Sequence, residues 1–198
     1  MTELLAHLPS DDHYQIQFND TRNSNVKLFA PHGGCIEPGT GILVRELACD
    51  NFDYYVFQGM MKKNCFGTLH ISSTRYDEPC CHRMARQSML ALAIHGCDTN
   101  KEFIEVGGGS TELVTHLYNY LVAQGFPAGR ASGHRKGKDK RNFINQAKLK
   151  GIQLELSTGF RKELFHDFPR TYQCIPKVYG PFIHAMQHWL QHIESTIA

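Results

Sequence analysis

"VKLFAPHGGCIEPGT", residues 26–40, joins an apolar run, a glycine-rich turn and the start of a helical pattern. The run "VKLFA" (26–30) predicts a strand, and a helix is expected to follow Thr40. An unbroken apolar run is typical of a central strand that is covered on both faces. Strand, turn and helix in this order predict an α/β fold.

Further apolar runs alternate with helical patterns along the chain. The clearest helix is expected after Ser110 and should end near Gly125, a short one should start near Gly159, and "HAMQHWLQHIESTI" predicts a last helix. Five more runs are predicted as strands: "YYVF" (54–57), "GTLHI" (67–71), "MLALAI" (89–94), "FIEV" (103–106) and "IQLEL" (152–156). Together these patterns predict an α/β sandwich.

The length and the charge narrow the class of protein. A chain of 198 residues suits one domain, which we place at 1–198, and a net charge of +2 argues against a dedicated nucleic-acid binder. No apolar run approaches the ~18 residues that span a bilayer. "MTELLAHLPSDDHY" lacks the basic region of a secretory signal. We therefore expect a protein that is made in the cytoplasm and stays there unless lysis releases it to act outside the cell. We also expect a monomer.

Seven cysteines are present, and no two of them are spaced as CxxC. The missing pair argues against a closed zinc finger. An odd count without an export signal favours free thiols over a disulfide framework. We predict buried or incidental thiols.

His32 and Glu37 are the first candidate metal ligands. They lie on either side of Gly33 and Gly34, directly after a predicted strand, where loops of α/β sheets usually build sites. Because glycines tolerate unusual backbone angles, the chain can curl so that both side chains converge. Catalytic zinc takes three protein ligands of this kind and leaves one position open.

His95 is the candidate third ligand. It ends the apolar run "LALAI" and precedes Gly96, which removes bulk beside it. The alternative is an ordinary core histidine with a backbone partner. Three histidines at helical spacing in the last helix could imitate a metal stripe, but with no carboxylate beside them we interpret them as surface residues: His184, His188 and His192.

Glu155 interrupts the apolar run "IQLEL" with a charge. A carboxylate on a central strand is costly to bury unless it is paired or used. A general base that takes a proton from a zinc-activated water meets both conditions. Arg161, six residues further on, could stabilise the oxyanion or hold a substrate carboxylate, with an ordinary surface arginine as the alternative.

The stretch "GHRKGKDKR", residues 133–141, holds one acidic residue among six basic or titratable ones. A solvated surface loop is one interpretation. The other is a positive rim for a polyanionic ligand. The nearly neutral charge of the whole chain makes nucleic acid the weaker choice for that ligand.

Four motifs, in order and spacing, resemble the poly-γ-glutamate hydrolases of phages and bacilli: "APHGGCIEPGT", "LHISSTRYDEP", "LALAIHG" and "RNFINQAKLKGIQLELSTGFR". The resemblance runs from about residue 26 to 161. It implies a zinc peptidase with a carboxypeptidase-like, three-layer α/β/α fold and a central mixed sheet. It also implies zinc ligation by His32, Glu37 and His95, with Glu155 as the catalytic carboxylate.

The resemblance further implies a set of substrate-binding residues in the cleft: His70, Arg75, Asn142 and Asn145. Cys35 departs from the family pattern, which has glycine or a small residue there. The implied reaction is zinc-dependent hydrolysis of γ-glutamyl amide bonds in poly-γ-glutamate, a polymer whose repeats each carry a free carboxylate. Two rivals remain: a related zinc amidohydrolase acting on a small N-acyl amino acid, and a phage accessory protein that binds nucleic acid through 133–141.

Overall fold

A seven-stranded mixed sheet forms the centre of the computed structural model, which describes residues 1, 8, 12–166, 168 and 180–197. Much of the N-terminal stretch considered for a signal, residues 2–7 and 9–11, lies outside this part. The strands are β1 (Tyr14–Asn19), β2 (Val26–Gly34), β3 (Asp53–Gly59), β4 (Leu90–Cys97), β5 (Ile104–Gly108), β6 (Ala128–Arg130) and β7 (Gly151–Ser157). The described helices are α1 (Thr40–Ala48), α2 (Cys65–Leu69), α3 (Pro79–Gln87), α4 (Thr111–Ala123), α5 (Thr158–Glu163) and α6 (Pro181–Ile197).

The strands lie in the order β1-β3-β2-β4-β7-β5-β6. The four inner strands β3, β2, β4 and β7 are parallel, whereas β1 and β5 run antiparallel to their inner neighbours. The predicted mixed sheet is therefore confirmed. Because parallel strands end at the same edge, the carboxyl ends of β2, β4 and β7 meet there, and this edge is where α/β sheets carry their sites.

Helices cover both faces of the sheet, which confirms the predicted α/β layering. Side chains of β2 alternate between two cores, with Leu28 in one and Phe29 in the other. The Leu28 core is closed by α1, α4, α5 and α6 and contains the fully buried Trp189. The Phe29 core is closed by α2, α3 and the 3-10 turn Phe143–Gln146. Both faces of the inner strands are thus dry, which explains their unbroken apolar runs.

The prediction of a strand at "GTLHI" (67–71) is wrong. The chain forms α2 there and then continues without regular structure. Cys65 and Leu69 are buried while the residues between them are more exposed, so one helical face packs on the sheet. Local strand propensity is overridden by this packing. The edge strands β1 and β6 were not predicted, because partly exposed edges lack the apolar run that marks inner strands.

The predicted helices after Thr40, Ser110 and Gly159 and near the C-terminus are all confirmed. Ser110 occupies the N-cap position of α4, but its side chain makes no capping hydrogen bond. No helix in the described ranges combines the length and the apolarity that crossing a bilayer requires.

Candidate active site

A cavity of about 1020 Å³ opens at the carboxyl ends of β2, β4 and β7. Its floor includes His32, Glu37, His95 and Glu155, so the topology gathers side chains from distant parts of the chain. The segment 133–139 forms one wall, and Phe66 and His70 also line the cavity.

A tight turn brings Glu37 back towards His32. The register of β2 shifts between Ala30 and Gly33, and Gly34 has a φ of 68°, in the left-handed region that favours glycine. The backbone N–H of Glu37 then donates to the carbonyl of His32 at 2.9 Å. As a result, Nδ1 of His32 lies 3.0 Å from Oε1 of Glu37. The two glycines between these residues make that approach feasible.

His95 joins this pair from the end of β4. Its Nδ1 lies 3.2 Å from Nδ1 of His32 and 3.8 Å from Oε2 of Glu37. Zinc bonds of about 2.0–2.1 Å to nitrogen and oxygen give a tetrahedron with edges of about 3.4 Å. The spacings of 3.0 Å and 3.2 Å from Nδ1 of His32 lie close to that edge length, whereas the 3.8 Å spacing involves the other oxygen of Glu37. Two imidazoles and a carboxylate are a donor set that zinc binds.

Further hydrogen bonds orient the side chains of two candidate ligands, His32 and Glu37. The carbonyl of Ile71 can only accept, so Nε2 of His32 donates to it, at 2.7 Å, and Nδ1 faces Glu37. The backbone N–H of Gly96 donates to Oε2 of Glu37 at 2.8 Å. Outer partners of this kind fix the tautomer and the orientation of metal ligands.

The protonation states differ within the centre. Burial lowers the pKa of His95 to about 4, although Glu37 opposes the shift, so the imidazole of His95 is neutral at pH 7. For His32, burial disfavours the charged ring, but the Glu37 carboxylate, together with the Ile71 carbonyl and Glu155, raises the pKa. A neutral His95 keeps one nitrogen lone pair available for a cation.

His70 is a second candidate for the third ligand. Its Nε2 lies 3.7 Å from Oε1 of Glu37, and donor atoms of His32, Glu37 and His70 all lie within 4.8 Å of one another. The side chain of His70 is 30% exposed, however, against 5% for His95. The resemblance predicted His70 as a cleft residue, and the structure does bring it to the cavity wall.

Glu155 lies beside the candidate metal ligands. It is paired in register with His95 across β4 and β7, so both side chains project from the same face of the sheet. Its carboxylate is 9% exposed and accepts a hydrogen bond at Oε1 from Nε2 of Gln153, 3.1 Å away. Burial and the negative charge of Glu37 raise the pKa of Glu155 to about 8. Proximity to a cation would favour its ionised form.

Arg161 is buried beside the cavity, which it helps to line. Its guanidinium donates to the carbonyls of Pro38, Cys97 and Leu156. Gly96 leaves room for it, since a Cβ there would lie 2.6 Å from Cζ of Arg161. Its burial contradicts the surface alternative, whereas the two roles towards substrate, oxyanion stabiliser and holder of a substrate carboxylate, stay predictions. Arg161 positions the Glu37 turn and the end of β4.

Two predicted cleft residues lie elsewhere than expected. Arg75 is exposed and does not line the cavity. Asn145 connects three backbone segments. Its side chain accepts from the backbone N–H groups of Gly109 and Gly151 and donates to the carbonyl of Gly137. Asn142, by contrast, does line the cavity and is buried.

The sequence interpretation missed two residues. Gln153 lies two positions before Glu155 and therefore faces the same side of β7, a signal that strand periodicity contained. Arg135 belongs to the basic stretch but could not be singled out there. It forms an ion pair with Glu105 and lines the cavity, while Lys136 and Lys138 are exposed along the same wall. Of the two interpretations of the basic stretch, the structure favours the positive rim.

A disulfide between Cys35 and Cys65, 30 residues apart, contradicts the prediction of free thiols for this pair. Cys49, Cys80, Cys81 and Cys97 are free, and Cys174 lies outside the described residues. Cysteine counting contains no spatial information, and only the fold brings Cys35 next to the start of α2. The bond ties the Glu37 turn to the segment that carries Phe66 and His70.

Reduction of this disulfide is expected to lower the free energy of unfolding by about 2–4 kcal/mol, because the unfolded chain regains the freedom of a closed loop. Urea unfolding with and without a reductant measures the change. Cys65→Ser should abolish the response to reductant, and Cys49→Ser, at an exposed free thiol, should preserve it. An unfolding midpoint of the wild type that ignores reductant would contradict the prediction.

Comparison with known proteins places this geometry in a family. Residues 1–185 match the profile of the family described as poly-gamma-glutamate hydrolase. The chain belongs to the poly-γ-glutamate hydrolase family. The family resemblance expected from the four motifs is thereby confirmed.

Several relatives come from Bacillus subtilis (strain 168). The UPF0714 protein YmaC is 34% identical over 83% of this chain and 70% of its own length. The UPF0714 protein YndL is 37% identical over 81% of this chain and 63% of its own, and the SPbeta prophage-derived protein YoqZ is 35% identical over 78% and 57%. The matched region thus spans less than two thirds of YndL and of YoqZ.

Solved structures share the fold. A bacteriophage poly-gamma-glutamate hydrolase superposes with a TM-score of 0.88 at 26% identity, covering 98% of this chain and 96% of that one. A zinc-free apo form of YndL gives a TM-score of 0.88 at 31% identity, with the same coverage. An N-formylglutamate amidohydrolase from Ralstonia eutropha JMP134, with a TM-score of 0.58 at 10% identity, shares the fold alone.

Proposed function

We propose that this protein is a zinc-dependent hydrolase that cleaves γ-glutamyl amide bonds of poly-γ-glutamate. The observation that carries the proposal is the cluster around Nδ1 of His32, which has a Glu37 oxygen 3.0 Å away and Nδ1 of His95 3.2 Å away, with Glu155 beside it. Family membership supports the substrate, and the zinc-free form of a relative supports the metal.

His32, Glu37 and His95 would hold the ion and leave a fourth position towards the cavity. Zinc, when bound, supplies a Lewis acid that polarises the amide carbonyl and lowers the pKa of water from 15.7 to about 7. Glu155 takes the proton of the attacking water at Oε2, since among the described residues its hydrogen bond is accepted at Oε1. It then passes the proton to the leaving amine.

The cationic wall of the cavity, formed by Arg135, Lys136 and Lys138, binds the polymer. Lys136 and Lys138 line the cavity, where they would face the carboxylates that each repeat carries. Within the part of the chain described, Arg135 donates only through Nε, to Glu105, so both its terminal nitrogens remain for substrate. We therefore assign Arg135, in place of Arg161, to stabilise the negative charge that develops on the carbonyl oxygen.

The disulfide supports action outside the cell. Disulfides persist in oxidising surroundings and are rare in the cytosol. The protein would meet poly-γ-glutamate outside the host cell after lysis. The oxidising surroundings there suit the Cys35–Cys65 bond.

Incubation of the purified protein with poly-γ-glutamate is expected to shorten the polymer on a gel. Dialysis against a chelator should abolish the cleavage, and zinc should restore it. Cleavage should also weaken between 0.1 M and 1 M salt, because the Debye length falls from about 10 Å to about 3 Å and the added ions screen the cationic wall from the polymer.

Parallel assays with other ligands separate the two rival functions. Release of a small acid from N-acyl amino acids, with the polymer left intact, would indicate the small-amide hydrolase. Salt-sensitive binding to DNA that survives the chelator, without any hydrolysis, would indicate the nucleic-acid-binding protein. Either outcome contradicts the proposed substrate.

A further inference from the structure

Gln153 is a buried polar residue that enters the proposed chemistry only as the donor to Oε1 of Glu155. It is 4% exposed and lies on β7 between the candidate base and the cationic wall. Its Nε2 donates both to Oε1 of Glu155, at 3.1 Å, and to the backbone carbonyl of Arg135, at 3.0 Å. One amide group thus contacts the two halves of the site at once.

Asn142 determines which way this amide points. Its Nδ2 donates to Oε1 of Gln153 at 2.9 Å, while its Oδ1 accepts from the backbone N–H of Ile144. Rotating the Gln153 amide by half a turn would place its oxygen against two other acceptors, Glu155 and the Arg135 carbonyl. The network therefore permits one orientation, with both N–H groups of Gln153 in use.

The cationic segment lies directly on this amide. Gly137 has a φ of 64°, and a Cβ there would lie 2.4 Å from Oε1 of Gln153. Lys136 and Lys138 flank that glycine, so Gln153 packs against the backbone that carries both lysines. Asn145, which donates to the carbonyl of Gly137, and the Arg135–Glu105 ion pair hold the same segment.

We propose that Gln153 is a positioning residue that holds the Glu155 carboxylate and the segment 133–138 in one fixed relation. The proposal rests on the proposed function. By occupying Oε1 of Glu155, Gln153 leaves Oε2 as the oxygen that receives the proton, and a donor to a carboxylate makes one of the stronger hydrogen bonds of proteins. Through its hydrogen bond to the Arg135 carbonyl, it fixes the position of the cationic wall relative to that oxygen.

Gln153→Met tests whether Gln153 connects the Glu155 carboxylate to the segment 133–138, because methionine has a similar length and no N–H donor. We expect kcat on poly-γ-glutamate to fall by about 10–100-fold, the usual cost of losing an outer partner, and KM for the polymer to rise. Zinc content should stay at the wild-type value. Gln146→Met is the matched control, because Gln146 bonds His82 and Arg86 away from the cavity and its loss should leave kcat and KM unchanged.

Amide hydrogen exchange of the zinc-free protein separates this proposal from the proposed function. Gln153→Met should speed exchange in residues 133–138 whether or not the wild type cleaves the polymer. An inactive wild type would overturn the proposed function. The exchange result would then decide by itself whether Gln153 holds the segment 133–138. Unchanged exchange in that segment would overturn the link even in an active enzyme.

Kinetics supply two further outcomes against the proposal. Wild-type kcat and KM in Gln153→Met would overturn it, as would a loss of activity that merely follows a loss of zinc. If Gln153→Met does not fold, Asn142→Asp takes its place. Its carboxylate still accepts from Ile144 but can only accept from Gln153, so it turns the amide around and should lower kcat in the same way.

Discussion

Glu155→Gln is expected to lower kcat for poly-γ-glutamate by about 10²–10⁴-fold, the range that a positioned acid–base group contributes. The amide keeps the size of the side chain but cannot accept a proton at Oε2. Since Glu155 lies beside the candidate ligands and is none of them, zinc content should remain one ion per chain. Single-turnover rates together with metal analysis measure both quantities.

Glu102→Gln is the control for this substitution, because it makes the same chemical change at an exposed site away from the cavity. Its kcat should match the wild type. Near-full turnover by zinc-loaded Glu155→Gln would show that another group acts as the base. A simultaneous loss of zinc and activity would instead make Glu155 part of the metal centre.

His95→Ala is expected to weaken zinc binding by more than the roughly 10–100-fold that loss of an outer partner costs, and to remove hydrolysis with it. His70→Ala should retain stoichiometric zinc. The difference follows from the 3.2 Å spacing between Nδ1 of His95 and Nδ1 of His32, close to a tetrahedral edge, and from the greater exposure of His70. Competition with a zinc-sensitive chelator dye measures each affinity.

His184→Ala, on the exposed face of α6, is the matched control and should bind zinc as the wild type does. If His70→Ala loses zinc and His95→Ala keeps it, the ligand set is His32, Glu37 and His70. If each of these two variants loses zinc, the ion takes four protein ligands and leaves no open position, which is the coordination of a structural site.

Several features of the candidate site could be anticipated from local sequence. His32 and Glu37 follow a strand and a pair of glycines, His95 ends a strand, and Glu155 interrupts one. Each of these signals depends on the position of a residue within one element. Because parallel strands end at a common edge, residues at those ends converge without any knowledge of the rest of the fold.

Other features could not be anticipated, because they depend on contacts between distant segments. Arg161 has the charge of an anion-binding group, yet its donors meet the carbonyls of Pro38 and Cys97. The "GTLHI" run has strand propensity, yet it packs through one helical face. Arg75 and Asn145 are named by motif alone, and one lies outside the cavity while the other supports the backbone.

The sequence by itself determined the alternation of strands and helices, the kinds of candidate ligand at the strand ends and the family. Hydrophobic periodicity and the identities of titratable residues are local properties, and a single chain displays them directly. Only the tertiary structure decided that Cys35 meets Cys65, that Gln153 joins Glu155 to the cationic wall, and that Arg161 is used internally. Hydrogen bonds and disulfides require atoms within a few ångströms of each other, and packing rather than sequence order sets those distances.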